Sequence, residues 1–417
     1  MNAILAVRLE LRLAVIALTG LSLGALVNWA IYALAWESRQ ISPWQPRDPK
    51  TSPRQWSDFL PVVGWLGLAR DAKVHGEGFW VRPLLIELTC GLGLAALYCW
   101  EISGHLAPPS GALRASHTML HEQFVSHAFL FLLLLVATFI DFDEKTIPDT
   151  ITVPGTLLGL LLAALWPASH LPVVQVIAAP LPIWGYGPLL LTSPDNWVPW
   201  LDTWRGASIG VCTFVGWCLA LIPALCTLRR GWVKCVQYYA ASIARESDWW
   251  KMLLLAATGS VAIVAVWYRG GVWWQSLLTS LVGLAFGGLL VWAVRIVGWV
   301  ALHREAMGFG DVTLLAMIGS FLGWQSCVFV FFLSPCVGLV FAVTQWVLTG
   351  RKEIAFGPYL CIATVIVVVI WPEVWKAGLP YFQIPWLLPA LLAVCLVLML
   401  GMLMCWRIIE QAVFSRR

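Results

Sequence analysis

Two short stretches of this chain carry carboxylates in a setting suited to shared acid–base chemistry. The first is Ile140-Asp141-Phe142-Asp143-Glu144-Lys145-Thr146-Ile147-Pro148-Asp149, and the second is Met307-Gly308-Phe309-Gly310-Asp311. The first directly follows a long apolar run and the second lies between two, so both place acids where hydrophobic helices end. Two carboxyls held close together cannot both ionise cheaply, so one keeps its proton. The charged member can take a proton from water, while the protonated member polarises a carbonyl and later serves a leaving amine. Such a pair titrates as a unit. Asp141 and Asp311 are therefore the candidate catalytic residues, with Asp143 a candidate support in the same stretch. Gly308 and Gly310 suit tight backbone turns and close approach to an extended peptide. Pro148 suits the stop of one helix and the start of the next. Acids at helix ends also serve as caps or solvated charges. Asp149 and Thr150 read as an N-cap pair, and Glu144 as a supporting or solvated group.

The elements that must position these acids are membrane helices. The chain has 417 residues, of which 60% are hydrophobic and 12% charged, against about a quarter charged in soluble domains. Its mean hydropathy is +0.81. Length alone would suggest two or three soluble domains, but this hydropathy overrides that reading. A bilayer-spanning helix needs about 20 apolar residues. Candidate spans are 13–36, 84–100, 126–140, 151–166, 206–226, 252–268, 277–302, 312–324, 326–349, 357–372 and 386–406. The expected fold is an all-α polytopic bundle of nine to eleven spans. Strands are not expected, because the apolar runs are continuous rather than alternating. The first run is too long for a signal-peptide core and reads as a retained helix.

Basic residues orient this bundle. The loop 37–83 carries Arg39, Arg47, Lys50, Arg54, Arg70, Lys73 and Arg82, and the loop 227–251 carries Arg229, Arg230, Lys234, Arg245 and Lys251. Arg351, Lys352, Arg407, Arg416 and Arg417 follow, whereas 167–205 and 373–385 hold one basic residue each, Arg205 and Lys376. The positive-inside rule then puts the N-terminus in the periplasm and both acidic stretches at the cytoplasmic membrane face, although Arg8 and Arg12 pull the other way. The charge count makes no use of the aspartates. A net charge of +4 without a dense basic cluster gives no nucleic-acid surface. The eleven cysteines form no CxxC, so neither a disulfide framework nor a zinc site is expected.

The ordered motifs resemble the type IV prepilin peptidases, a family of GxGD-type aspartyl membrane peptidases. The pattern I-D-x-D-x-x-x-I-P-D is followed by M-G-x-G-D, then by Val312-Thr313-Leu314-Leu315-Ala316, Gly319 and Leu322-Gly323-Trp324. Further blocks fall in family order: Gly24-Ala25-Leu26-Val27-Asn28 with Ile31-Tyr32, Phe59-Leu60-Pro61-Val62 with Trp65, Arg82-Pro83-Leu84 with Glu87, and Phe356-Gly357-Pro358-Tyr359-Leu360. The resemblance implies Asp141 and Asp311 as the catalytic pair and Asp143 as a support. It implies an inner-membrane, multi-pass enzyme that removes the leader of prepilins or pseudopilins. Proteolysis needs no cofactor. Many bacterial members also N-methylate the new N-terminus with S-adenosylmethionine.

This chain departs from that pattern. The loop 37–83 lacks the two CxxC pairs common in the bacterial family, so zinc is not expected and methylation stays open. The family's lysine after GxGD is Thr313 here. The reading divides the chain into a first helix (1–36), a cytoplasmic loop (37–83), helices with the first aspartate (84–166), a periplasmic loop with an inserted helix pair (167–275), the GxGD core (276–372) and an extra C-terminal helix with a basic tail (373–417). Gly206-Ala207-Ser208-Ile209-Gly210 and Gly283-Leu284-Ala285-Phe286-Gly287 look alike, from either a local duplication or small residues at helix interfaces. A repurposed membrane protease, a transporter and a non-catalytic membrane scaffold remain open beside the prepilin reading.

Overall fold

The computed structural model describes residues 7–107, 115–178, 183–222, 249–303, 307–349 and 355–414. Of the basic loop expected at 227–251, residues 227–248 lie outside them, as do Arg351, Lys352, Arg416 and Arg417.

Every expected apolar run forms a helix. In chain order these are α1 (Leu9–Leu34), a short α2 (Val63–Leu68) in the first loop, α3 (Val81–Ile102), α4 (His117–Glu144) and α5 (Asp149–Leu165). They continue as α6 (Trp204–Ala220), α7 (Trp249–Arg269), α8 (Gly271–Leu302), α9 (Phe309–Leu322), α10 (Trp324–Thr349), α11 (Gly357–Val369), α12 (Trp371–Phe382) and α13 (Leu387–Phe414). Among the described residues, seven are long and apolar enough to cross a bilayer, or eight if the 92° bend between α11 and α12 is counted within one span. This is fewer than nine to eleven because α5, α6, α9 and, taken alone, α11 are too short among the described residues. The structure also adds α12, within a stretch whose sequence predicts a loop.

A second difference is an antiparallel hairpin, β1 (Pro172–Ala178) and β2 (Ile183–Pro188), where strands were not expected. The prolines that rule out a helix here leave extended backbone free to pair with itself. The surrounding carbonyls are met by long side chains from the bundle. Trp371 Nε1 donates to Pro172 O at 2.8 Å, Trp324 Nε1 to Leu191 O at 2.8 Å and Gln325 Nε2 to Leu190 O at 2.8 Å. Irregular backbone beside a membrane bundle needs such donors. His170, fully buried just before β1, faces Ser276 and Ser280 of α8. Burial, and then the nearby His127, pushes its pKa down to about 4.

At the centre lies α9. Every residue from Asp311 to Leu322 is buried, so this helix of 14 residues contacts protein rather than lipid. Its closest neighbour is α8. A Cβ on Gly283 would strike the carbonyl of Gly319, one on Gly319 the carbonyl of Gly283, and one on Gly287 the carbonyl of Leu315. On α6, a Cβ at Gly206 would meet Leu201 O, while Gly210 faces Trp274 of α8. Both small-residue pentapeptides therefore sit at helix contacts, where missing side chains let backbones approach.

The cysteine-free first loop is held by charges. Asp58, 1% exposed, accepts from Gln55 N at 2.8 Å and from both terminal nitrogens of Arg70. Asp71 accepts from Ser52 N at 3.0 Å. Burial alone would raise the Asp58 pKa. The Arg70 fork, the Gln55 N–H and the charges of Arg70 and Arg54 outweigh it and hold the carboxyl below its usual range.

Candidate active site

The site is built where helices end. Asp141 lies in the last turn of α4, which stops at Lys145 in the left-handed conformation (φ 56°). Asp311 lies in the first turn of α9. Both are buried, at 5% and 8% exposure, and they are close enough for the two charges to interact. Each meets a backbone donor: the N–H of Gly357 for Asp141 and the N–H of Gly308 for Asp311. Asp141 Oδ2 has no hydrogen-bond partner among the described residues.

Glycine is required at one of these donors. A Cβ on Gly357 would lie 2.6 Å from Asp141 Oδ2 and 2.7 Å from Ile147 Cδ1. At Gly308 it would sit 3.7 Å from Asp311 Oδ2, which is ordinary contact. Gly310 packs on Ile147, with 2.9 Å from its would-be Cβ to Ile147 Cβ. Its small size lets the second acidic stretch rest directly on the first. Gly357, at the start of α11, stands in sequence only as part of the motif Phe356-Gly357-Pro358-Tyr359-Leu360. Its contact with Asp141 joins residues far apart in the chain, and no local pattern reveals it.

The other acids brace the site. Asp143 accepts both bonds of a fork from Arg82 Nη1, at 2.8 and 2.9 Å, while Arg82 Nη2 reaches Phe139 O at 3.2 Å. Glu144 accepts from Trp36 N and Glu37 N, each at 2.8 Å. The end of α4 is thereby fastened to α1 and α3. Asp149 falls in the first turn of α5, one place inside the expected cap. Thr313, where the family pattern has a lysine, donates its hydroxyl to Gly310 O at 3.1 Å within the first turn of α9.

The upstream motif blocks converge on one buried carboxylate that sequence reading did not single out. Glu87 of α3 accepts from Asn28 Nδ2 at 3.1 Å, Trp65 Nε1 at 2.7 Å and Val62 N. Val62 has φ 63°, a strained value for a β-branched residue, and this bond helps to hold it. Glu87 anchors the first loop to α1 and α3. Among the described residues, no group of three or more His, Cys, Asp or Glu side chains could hold a metal ion.

Fold and site together define a polytopic helical membrane protein with two buried carboxylates at helix ends. The chain is similar to the type IV leader peptidase family, whose model matches residues 128–191 and 235–343. The gap between the two matches contains α6. The prepilin leader peptidase/N-methyltransferase of Aeromonas salmonicida is 38% identical over 87 residues, 20% of this chain and 30% of that one. The enzyme of the same name from Pseudomonas aeruginosa is 40% identical over 91 residues, 21% of this chain and 31% of its own. That from Myxococcus xanthus is 30% identical over 137 residues, 33% and 38% of the respective chains. The matches span between 30% and 38% of the length of these relatives. No solved structure gives a significant match.

Proposed function

We propose that this chain is an aspartyl endopeptidase that removes the leader of prepilin- or pseudopilin-like proteins at the cytoplasmic face of the inner membrane. The observation that carries the reading is the buried pairing of Asp141 with Asp311, each met by a backbone N–H. The pair shares one proton. One carboxylate takes a proton from water as the water oxygen attacks the scissile carbonyl. The other donates a hydrogen bond to the carbonyl oxygen, and collapse of the tetrahedral intermediate sends a proton to the departing amine. Asp141 Oδ2, which has no partner among the described residues, is the oxygen that would hold that water. The initial proton belongs to the pair rather than to either residue.

Substrate class comes from the relatives' names and from the ordered motifs. The lipid bilayer is the remaining partner, and nucleic acid has no role. Transporters hold their carboxylates near the bilayer midplane, whereas both aspartates here lie at helix ends, which favours a peptidase. Co-expression with a cognate prepilin should show leader removal, and Asp141→Ala and Asp311→Ala should each abolish it. Full cleavage by either variant refutes the pair. Reporter fusions within 37–83 and 227–251 should report cytoplasm. Mass spectrometry of the processed N-terminus decides whether S-adenosylmethionine-dependent methylation accompanies cleavage.

A further inference from the structure

We propose that Arg407 of α13 is a positioning residue for Asp311: it fixes the end of α8, from which the GxGD stretch departs. This deepens the peptidase reading and rests on it. Helix α13 lies outside the residues that match the family model, so the proposal gives the appended helix a part in the reaction.

The sequence puts Arg407 at a boundary. Residues 387–406 carry no charged side chain, and Arg407 is the first charge after them. An arginine in such a place ordinarily reaches for lipid headgroups. Here it turns toward the bundle. Trp406 and Ile408 on either side are 58% and 65% exposed, while Arg407 is half-buried. Its Nη1 donates to Ala301 O at 3.2 Å and meets His303 Nδ1 at 3.0 Å. Arginine has no acceptor, so His303 Nδ1 accepts.

The contact completes a helix end. The last carbonyls of a helix have no partner within it. At the end of α8, His303 takes the left-handed conformation (φ 56°), and its N–H satisfies Trp299 O at 2.9 Å. Ala301 is fully buried, and Arg407 supplies the donor for its carbonyl. The guanidinium also lies at the negative end of the α8 dipole. The His303 ring is nearly parallel to that of Trp299, at 15°, and this stacking orients Nδ1 toward the arginine.

The chemistry follows closely in sequence. Met307 is four residues past His303, and the N–H of Gly308 holds Asp311. The backbone contacts that lock α8 to α9 lie at Gly283, Gly287 and Gly319. Gly287 is about 24 Å along α8 from His303, so these contacts leave the far end of the helix to be held separately. Arg295 of α8 adds a contact over the Phe309 ring, 5.7 Å from its centroid. Arg407 holds the helix end itself.

The test separates positioning from stability. Arg407→Met keeps an apolar stem and removes the guanidinium, Arg407→Gln keeps one donor without the charge, and Arg407→Lys keeps the charge. Trp406→Leu, on the exposed face beside it, is the control. With a cognate prepilin, kcat per folded enzyme should fall roughly tenfold in Arg407→Met, with KM unchanged, and Arg407→Lys should recover most of the loss. Trp406→Leu should cleave as the wild type does. If Arg407→Met does not fold, Arg407→Gln is read in its place, with the same expectation. Unchanged kcat in the folded variant, or a rise in KM equal to the loss in kcat, overturns the proposal. Failure of both variants to fold makes Arg407 structural and overturns it too. A second readout does not depend on cleavage. Hydrogen exchange at the Gly308 amide should quicken severalfold in the same variant and stay unchanged in Trp406→Leu; an unchanged Gly308 amide refutes the link even if the wild type cleaves. A quickened Gly308 amide in a chain whose wild type cleaves nothing upholds the link and refutes the peptidase reading.

Discussion

Gly357→Ala isolates positioning from chemistry. The new methyl would lie 2.6 Å from Asp141 Oδ2, about 0.8 Å inside the 3.4 Å at which ordinary contact begins. Ile147 Cδ1, 2.7 Å away, is a flexible side-chain end and can rotate aside. The carboxylate cannot move without cost, because the N–H it uses belongs to residue 357 itself. Either Asp141 turns or the start of α11 withdraws. Displacements near 1 Å cost about a hundredfold when groups must meet in a transition state. Gly357 has helical backbone, so alanine brings no conformational penalty of its own. The expected result is a fall in kcat of about a hundredfold with KM and thermal unfolding in detergent little changed. Gly308→Ala is the matched control: its methyl would sit 3.7 Å from Asp311 Oδ2, with φ −68° acceptable to any residue. It should change kcat by about twofold at most. Wild-type kcat in Gly357→Ala, or equal losses in both variants, would show that the close approach to Asp141 does not govern the reaction.

Three further outcomes follow from the same geometry. Asp143→Asn weakens a partly exposed pair with Arg82 (33% and 22% exposed), a class of contact worth about 0–1 kcal/mol; it should slow leader cleavage by no more than about fivefold, and complete loss in the cleavage assay would make Asp143 catalytic. Gly319→Ala drives a methyl into the backbone of Gly283 and should cost about 1–3 kcal/mol of stability, read as a lower Tm. Gly216→Ala, which meets nothing, should leave Tm unchanged. Asp58, held below its usual range, stabilises the first loop fully above about pH 4 and loses that contribution as pH falls through its depressed value. Limited proteolysis of 50–71 should therefore accelerate only below about pH 4. Asp58→Asn should expose the loop at neutral pH and remove that dependence.

Much of this architecture is legible in sequence because a membrane allows few alternatives. Continuous apolar runs located the helices, although α4 begins nine residues before its run and α13 continues eight beyond its own, and the aspartates stood out as acids at their ends. Three things were hidden, each for a physical reason. The hairpin at 172–188 was read through its prolines, which rule out a helix but not an edge strand. The burial of α9 cannot be inferred from hydropathy, since a helix packed in protein and one facing lipid are equally apolar. Gly357 and Glu87 act through contacts between distant segments; their motif blocks were visible, but the atoms on which those blocks converge were not.

The length of α11 has a consequence of its own. Its first residue offers an N–H to Asp141, and just past its last, Trp371 donates to Pro172 of the hairpin. Helix α11 is thus a rod of about 20 Å fixed at both ends in rotation as well as in height. One inserted residue would turn the two attachments about 100° out of phase. Four would nearly restore the angle but lift Gly357 about 6 Å from the carboxylate. Side chains along α11 are free to vary within packing limits. The number of residues between Gly357 and Trp371 is a gauge that keeps the two ends of the bundle in register.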